Sequence, residues 1–300
     1  MGLLDADGQT FIWAGGGTED GFVDTCWSYD RSTGGWTSLP PLPFPLLRSA
    51  AVRHENLVHM VAGTTSGRIE VDSLLQLDLH TGEWTTLKSA GGPGPRFKHR
   101  AVGVEREMVV IGGKNDDADP AEIYGDVWRY DVDAHKWTEQ SSSNGPSGIY
   151  RHAMAYDAAR GQIWVQGGFD AEEHRSDWLW SIDTESWTWT QYSWDGAGPP
   201  VRASHALAVT DEGLWVWGGN STDTSVWLFH PETSVWEEWD LHPAPIARDA
   251  FVYDLSPDQS QLWILGGDPV EESVPDFVAD LWLLDLETMQ WNEVEDIGQD

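Results

Sequence analysis

The stretch Met108-Val109-Val110-Ile111-Gly112-Gly113, followed by Asp126-Val127-Trp128-Arg129-Tyr130-Asp131 and then by Trp137, decides how this chain is read. An apolar run that stops at doubled glycine reads as a strand ending where the backbone needs positive φ or a close approach. Strict alternation puts Val127 and Arg129 on one side of the next strand and Trp128 and Tyr130 on the other. Ala101-Val102-Gly103-Val104 precedes these two strands and Trp137-Thr138-Glu139 follows them. The result is a unit of four short antiparallel strands. Residues 114–125 are expected to form a variable polar loop within it.

The unit recurs six times. Its doublets are Gly15-Gly16, Ala62-Gly63, Gly112-Gly113, Gly167-Gly168, Gly218-Gly219 and Gly266-Gly267. Each is followed by two large residues nine positions apart: Trp27 and Trp36, Leu75 and Trp84, Trp128 and Trp137, Trp180 and Trp189, Trp227 and Trp236, Trp282 and Trp291. A period near 50 residues marks a radial array of blades. The expected fold is all-β: a six-bladed β-propeller with four antiparallel strands per blade. Residues 1–300 are read as one domain, with blades at about 1–40, 41–90, 91–142, 143–194, 195–241 and 242–300. The paired tryptophans are expected to fill the space between blades, each burying on the order of 200 Å². Met1 to Leu4 aligns with a first strand, so blade one is expected to have four strands. No strand is left over to clasp a ring, and upstream sequence is either dispensable or lost.

Asp and Glu number 50 against 17 Lys and Arg, a formal charge of −33. Such a surface repels phosphate backbones, which excludes nucleic acid and anionic membrane as partners. The acidity is expected to serve solubility in a saline medium, where self-repulsion is screened. Cys26 is the only cysteine, so no intrachain disulfide forms. The opening residues are not expected to act as a signal peptide, and no apolar run reaches the ~18 residues of a membrane span. The chain is expected to be soluble and monomeric, cytoplasmic as it stands or exported if its start is missing.

Three features together carry a family resemblance. They are the Arg-x-x-His lead-in of Arg96 with His99 and Arg202 with His205, the doubled glycine, and aromatic-x-Tyr/Leu-Asp with a tryptophan six residues later. The chain resembles the kelch-repeat β-propellers over its whole length. Departures are Leu75 and Ala62 in blade two, the extra Trp178 and Trp187 in blade four, and Ile149 and Ile246 where blades four and six should carry the lead-in arginine. The resemblance implies that lead-in Arg and His residues hold neighbouring blades together through backbone carbonyls.

A functional alternative sits beside that implication. The loops after the doublets are acidic: Glu19 and Asp20; Asp116, Asp117, Asp119 and Glu122; Asp170, Glu172 and Glu173; Asp268, Glu271, Glu272 and Asp276. The lead-in segments are basic, with Arg48, Arg96, Lys98, His99, Arg100, Arg151, His152, Arg202, His205 and Arg248. These residues are read as a cationic mouth within an acidic collar. Arginine grips carboxylates at two points, so the mouth suits an acidic peptide or an anionic sugar.

No catalytic group, metal or cofactor is assigned. Ten histidines show no ligand spacing, and Cys26 does not fit a copper-radical site. The run Asn115-Asp116-Asp117-Ala118-Asp119 lacks the glycine and distal Glu of an EF-hand loop. A resemblance to kelch-type sialic acid mutarotases would need Arg96, Arg202, His152 or His205 as anion grip and acid/base groups. The expectation is a non-catalytic module that binds a protein or peptide on its loop-bearing face. A sugar enzyme or lectin-like mouth, or an architectural domain of a longer exported protein, is the alternative.

Overall fold

The computed structural model describes residues 2–4, 10–18, 21–88, 91–141, 144–271 and 278–294, the first three by backbone alone. The acidic positions Glu19, Asp20, Glu272 and Asp276 lie outside the described residues. Among the described residues every regular element is a strand, and no helix is long and apolar enough to cross a membrane. The fold is a six-bladed β-propeller, built as two compact units, Met1–Tyr150 and Arg151–Asp300.

The first unit holds three blades. Blade one pairs Gly2–Leu4, Thr10–Thr18, Gly21–Asp30 and Gly35–Leu39 in that order. Blade two follows the same plan with Ala50–His54, Leu57–Thr65, Ile69–Asp78 and Glu83–Leu87, and Leu46–Leu47 adds a lead-in strand against Leu57–Thr65. Blade three is Arg100–Val104, Glu107–Asn115, Glu122–Asp131 and Lys136–Gln140.

The second unit repeats the arrangement. Blade four is Ala153–Asp157, Gln162–Gln166, Leu179–Asp183 and Trp189–Tyr192. Blade five is Ala206–Val209, Leu214–Trp217, Val226–His230 and Val235–Trp239. In blade six, Val252–Leu255, Gln261–Pro269, Val278–Asp285 and Gln290–Glu293 follow a lead-in strand, Arg248–Asp249.

The two positions of each doublet differ in backbone. The first residue is left-handed in every blade, with φ between 52° at Ala62 and 72° at Gly218. The second lies at 92° to 127°. An L-residue reaches the former at a cost of about 1–2 kcal/mol, whereas the latter is close to glycine-only territory. Hence the one degenerate doublet replaces its first glycine and keeps Gly63. In blades one, two, three and six the register shifts by one residue at the doublet and pairing then resumes. That corrects the expected loop at 114–125: Lys114 and Asn115 pair with Ile123 and Glu122, extending the hairpin.

The tryptophan spacing also has a local cause. Asp30, Asp78, Asp131, Asp183 and Asp285 each accept backbone N–H groups from two and three residues on, an Asx turn. A left-handed residue then closes the turn two positions before the tryptophan: Gly34, Gly82, His135, Trp187, Ser234 and Met289. The nine-residue pairs meet edge to face at 6.5 Å for Trp128–Trp137, 6.2 Å for Trp180–Trp189 and 6.5 Å for Trp227–Trp236.

Three closing tryptophans fill the space between blades as expected. Trp137 packs with Ala50, Val61 and Leu74 of blade two, and Trp236 with Trp164 of blade four. Trp291 is buried against Trp217 of blade five, with ring centres 5.2 Å apart. In the first two blades the tryptophans are less deeply buried. Trp27 is 40% exposed. Trp36 is half-buried, and its ring lies tilted against Tyr29 of its own blade at 5.0 Å. Trp84 is half-buried too. Its ring covers the apolar cluster of blades one and two, while its indole N–H stays at the surface and donates to the Pro40 carbonyl at 2.9 Å. An indole that must pair its N–H at the rim keeps one edge in water.

Candidate binding surface

The lead-in segments have one backbone geometry within each unit. Arg96, Arg202 and Arg248 accept, at their carbonyls, the N–H of the second doublet residue of the preceding blade: Gly63 at 2.8 Å, Gly168 at 2.8 Å and Gly219 at 2.9 Å. Two residues on, Arg48, Lys98, Arg151, Ser204 and Ala250 are all left-handed, with φ of 54° to 59°. The Lys98 N–H donates to the Arg48 carbonyl at 3.1 Å, and the Ser204 N–H to that of Arg151 at 2.7 Å. This register corrects the reading of blade six. Arg248, not the residue at Ile246, is its lead-in arginine. Two extra residues separate Arg248 from Gly266 compared with Arg96 and Gly112, which displaced the count.

The lead-in arginines are buried, with 2%, 0% and 1% of Arg96, Arg202 and Arg248 exposed. Each donates to the first doublet carbonyl of its own blade: Gly112 at 2.8 Å, Gly218 at 3.1 Å and Gly266 at 3.2 Å. Each also binds a carboxylate: Asp126 at 2.7 and 2.8 Å, Asp223 at 2.5 Å, and Asp280. The same carboxylates take an indole N–H from Trp128, Trp227 and Trp282. Burial pushes the Asp223 and Asp280 carboxyls up. Their indole and guanidinium hydrogen bonds more than offset it, and both sit below the usual carboxylate range.

Where the arginine is missing, its carboxylate partner is missing too. Blade two has Leu46, Ser73 and Leu75 at the three positions, and blade four has Ile149, Trp178 and Trp180. An unpaired buried charge is expensive, so the ion pair comes or goes as a unit.

The histidines lie deeper still. His99, His152 and His205 are fully buried. His99 Nε2 donates to the Val61 carbonyl of blade two at 3.1 Å, and burial holds its pKa down at about 3. In blade six Phe251 takes the same place, its ring against Gly218 as His205 is against Gly167. Arg100 is half-buried in the first strand of blade three. Of the expected set, the lead-in Arg and His thus sit inside the blades. Arg48 is exposed and Arg151 half-buried.

The first unit brings a second group of residues together. The Arg48 guanidinium stands 5.7 Å from the centre of the Phe97 ring. Lys98 Nζ lies 4.7 Å from Phe97 and 5.8 Å from Tyr150, and Lys114 Nζ lies 5.4 Å from Tyr150. Both rings are buried, so they form a floor under three cations. Lys114 also pairs with Asp116 at 3.0 Å. In the second unit Arg151 reaches Asp249 at 3.6 Å instead. Phe97, Tyr150 and Lys114 were not picked out from the sequence. Their signal was the aromatic–cation dipeptide repeated as Phe97-Lys98 and Tyr150-Arg151.

Among the described residues no group of three or more His, Cys, Asp or Glu is arranged to hold a metal ion. Cys26 is buried, which pushes its thiol up to about 11.

A family model described as the KLHDC2/KLHL20/DRC7 Kelch-repeats domain matches residues 98–300, two thirds of the chain. The chain is 25% identical to Kelch domain-containing protein 3 of Homo sapiens, over 83% of this chain and 70% of that protein. It is 23% identical to the Leucine-zipper-like transcriptional regulator 1 homolog of Drosophila melanogaster, over 78% of this chain and 25% of that protein. It is 27% identical to the Dynein alpha chain, flagellar outer arm, of Chlamydomonas reinhardtii, over 71% of this chain and 5% of that protein. The chain therefore spans a quarter or less of the length of two of these relatives.

Proposed function

The chain belongs to the kelch-repeat family, and on that premise we propose that it is a non-catalytic protein-binding module. In this reading residues 1–300 act as one monomeric propeller domain. The lead-in surface of the first unit takes an acidic peptide segment. The single observation that carries the reading is the floor of Phe97 and Tyr150 beneath Arg48, Lys98 and Lys114. In a chain of formal charge −33, three cations over two buried rings make a local minimum for carboxylates. The rings hold the cations in place, which lowers the ordering entropy lost on binding. The buried Arg96 serves this surface indirectly, by fixing the backbone that presents Phe97 and Lys98.

Fluorescence anisotropy with acidic peptides, and with the same peptides amidated at their carboxylates, tests the reading. Arg48→Asn and Lys98→Asn are the informative variants, because asparagine tolerates the left-handed backbone of both sites. Acidic peptides should bind, and the double variant should weaken them by about tenfold or more, as expected for losing ~1.4 kcal/mol. Its melting temperature should stay near that of the parent. Equal binding of the amidated peptides, or no loss in the double variant, would remove this surface from the account.

A further inference from the structure

Glu70 is the second residue of the returning strand of the blade-two hairpin, Ile69–Asp78, and is 8% exposed. Its Oε2 atom is buried without a hydrogen-bond partner. Its backbone N–H donates to Asp117 Oδ2, at the tip of the blade-three hairpin, at 2.9 Å. That bond sets the Asp117 carboxylate beside Glu70, whose own carboxyl is shut away from water. A carboxyl with a buried, unpartnered oxygen next to a second carboxylate holds its proton more tightly than one in water. The Asp117 tip is fixed from its own side, because the Asp117 N–H donates to Asn115 Oδ1 at 3.0 Å.

We propose that Glu70 and Asp117 form a proton-held latch between the hairpins of blades two and three, closed while the pair holds one proton and released when that proton leaves. The proton sits on Glu70, the more buried partner, and Asp117 accepts it. The charged groups against Glu70 are Asp117 and Asp116, both of blade three. Asp116 is paired with Lys114, which tempers but does not remove its charge. Burial first, then the contact with Asp117, raises the Glu70 pKa to about 7, and Asp117 is held below the usual range by hydrogen bonding to Glu70. The unfolded glutamate titrates at 4.5. The latch is therefore fully formed below that pH and is lost as pH rises through about 7. Release places two carboxylates in contact, and the hairpin tips separate. Because Lys114 borders the aromatic floor, release also frees the blade-three side of that surface. The latch itself does not rest on the peptide-binding reading.

Hydrogen exchange of residues 66–72 and 114–122, corrected for the intrinsic pH dependence, tests the latch from pH 5.5 to 8.5. The parent should show a step near neutral pH, with exchange about tenfold faster above it for one unit of destabilised pairing. Glu70→Gln keeps a neutral donor at every pH, so its exchange should stay slow with no step. Glu70→Ala should be fast throughout while the rest of blade two is unchanged. A carbon NMR titration of the Glu70 carboxyl should give the same midpoint. A midpoint in the ordinary carboxylate range, or a step that persists in Glu70→Gln, overturns the proposal. Millimolar calcium that alone slows exchange at pH 8.5 overturns it too, by making the pair a cation site.

Discussion

Arg96 and Asp126 form a two-point ion pair, 2.7 and 2.8 Å at its two arms, with the guanidinium buried and the carboxylate also holding the Trp128 indole at 2.7 Å. The pair ties a lead-in segment to the third strand of its blade. Removing one partner leaves a buried charge, which costs about 3–5 kcal/mol. Removing both, as blade two has done with Leu46 and Ser73, should cost much less.

The first prediction is therefore a coupling. Arg96→Leu and Asp126→Ser should each lower stability by about 3 kcal/mol. The double variant should recover at least ~1 kcal/mol of their sum, as contacting residues do. Urea unfolding of the four proteins measures it. Additive losses would mean that the ion pair is not the unit by which blades differ.

These residues also mark where the sequence stopped being legible. Periodicity is local, so the doublets, the alternating strands and the closing tryptophans could be read directly. How deeply each tryptophan sinks could not, since Trp36 and Trp291 hold the same repeat position and differ in burial. Beyond the neighbouring Gly94 carbonyl, the partners of Arg96 are 16 and 30 residues away, at Gly112 and Asp126. No spacing rule reveals whether a guanidinium turns inward to them or outward to a ligand. Net basicity of the lead-ins suggested a mouth, yet Arg96, Arg202 and Arg248 turn inward. The left-handed backbone at Arg48 and Lys98 separates them from Arg96, and backbone sign is invisible in residue type. The doublet bulge likewise hid that pairing resumes at Gly113 and runs on through Lys114, because acidic hairpin extensions read as loop.

A second prediction uses the turn before each closing tryptophan. Ser234 has φ of 55° at a position that glycine fills in blades one and two, as Gly34 and Gly82. Left-handed backbone costs an L-residue about 1–2 kcal/mol, and glycine returns roughly half of that gain as unfolded-state entropy. Ser234→Gly should raise stability by about 0.5–1 kcal/mol. Lower stability in a chemical melt would show that the Ser234 side chain supports the turn in another way.

Acid should unfold this chain earlier than its carboxylates alone predict. His59, hydrogen-bonded to Gln76 at 3.1 Å and fully buried, is pushed by burial to about 4, and His99 to about 3. Both are depressed below the unfolded value of 6.5, so the unfolded chain takes up the protons first as pH falls. Their stabilisation is complete above pH 6.5 and drains away towards pH 4 and 3. At 1.36 kcal/mol per unit, His59 alone accounts for about 3 kcal/mol. Melting temperature should fall between pH 6.5 and 4.5, and His59→Gln, which can still meet Gln76, should flatten that slope. Parallel slopes would rule out His59 as the titrating group.

The last prediction concerns the surplus of carboxylates. With 50 Asp and Glu against 17 Lys and Arg, the folded chain concentrates like charges that the unfolded chain spreads apart. Exposed pairs such as Arg160–Glu232 return little, because water and salt screen them. The Debye length falls from about 30 Å at 0.01 M salt to about 3 Å at 1 M, so repulsion between exposed carboxylates should fade over that range. The buried Arg96–Asp126, Arg202–Asp223 and Arg248–Asp280 pairs are shielded from the ions and keep their attraction. Melting temperature should therefore rise steadily with sodium chloride from 0.01 to 1 M, most steeply at the low end. A flat or falling curve would show that attraction among exposed groups balances the net repulsion, and the acidic hairpins would then be sought as binding surfaces in their own right.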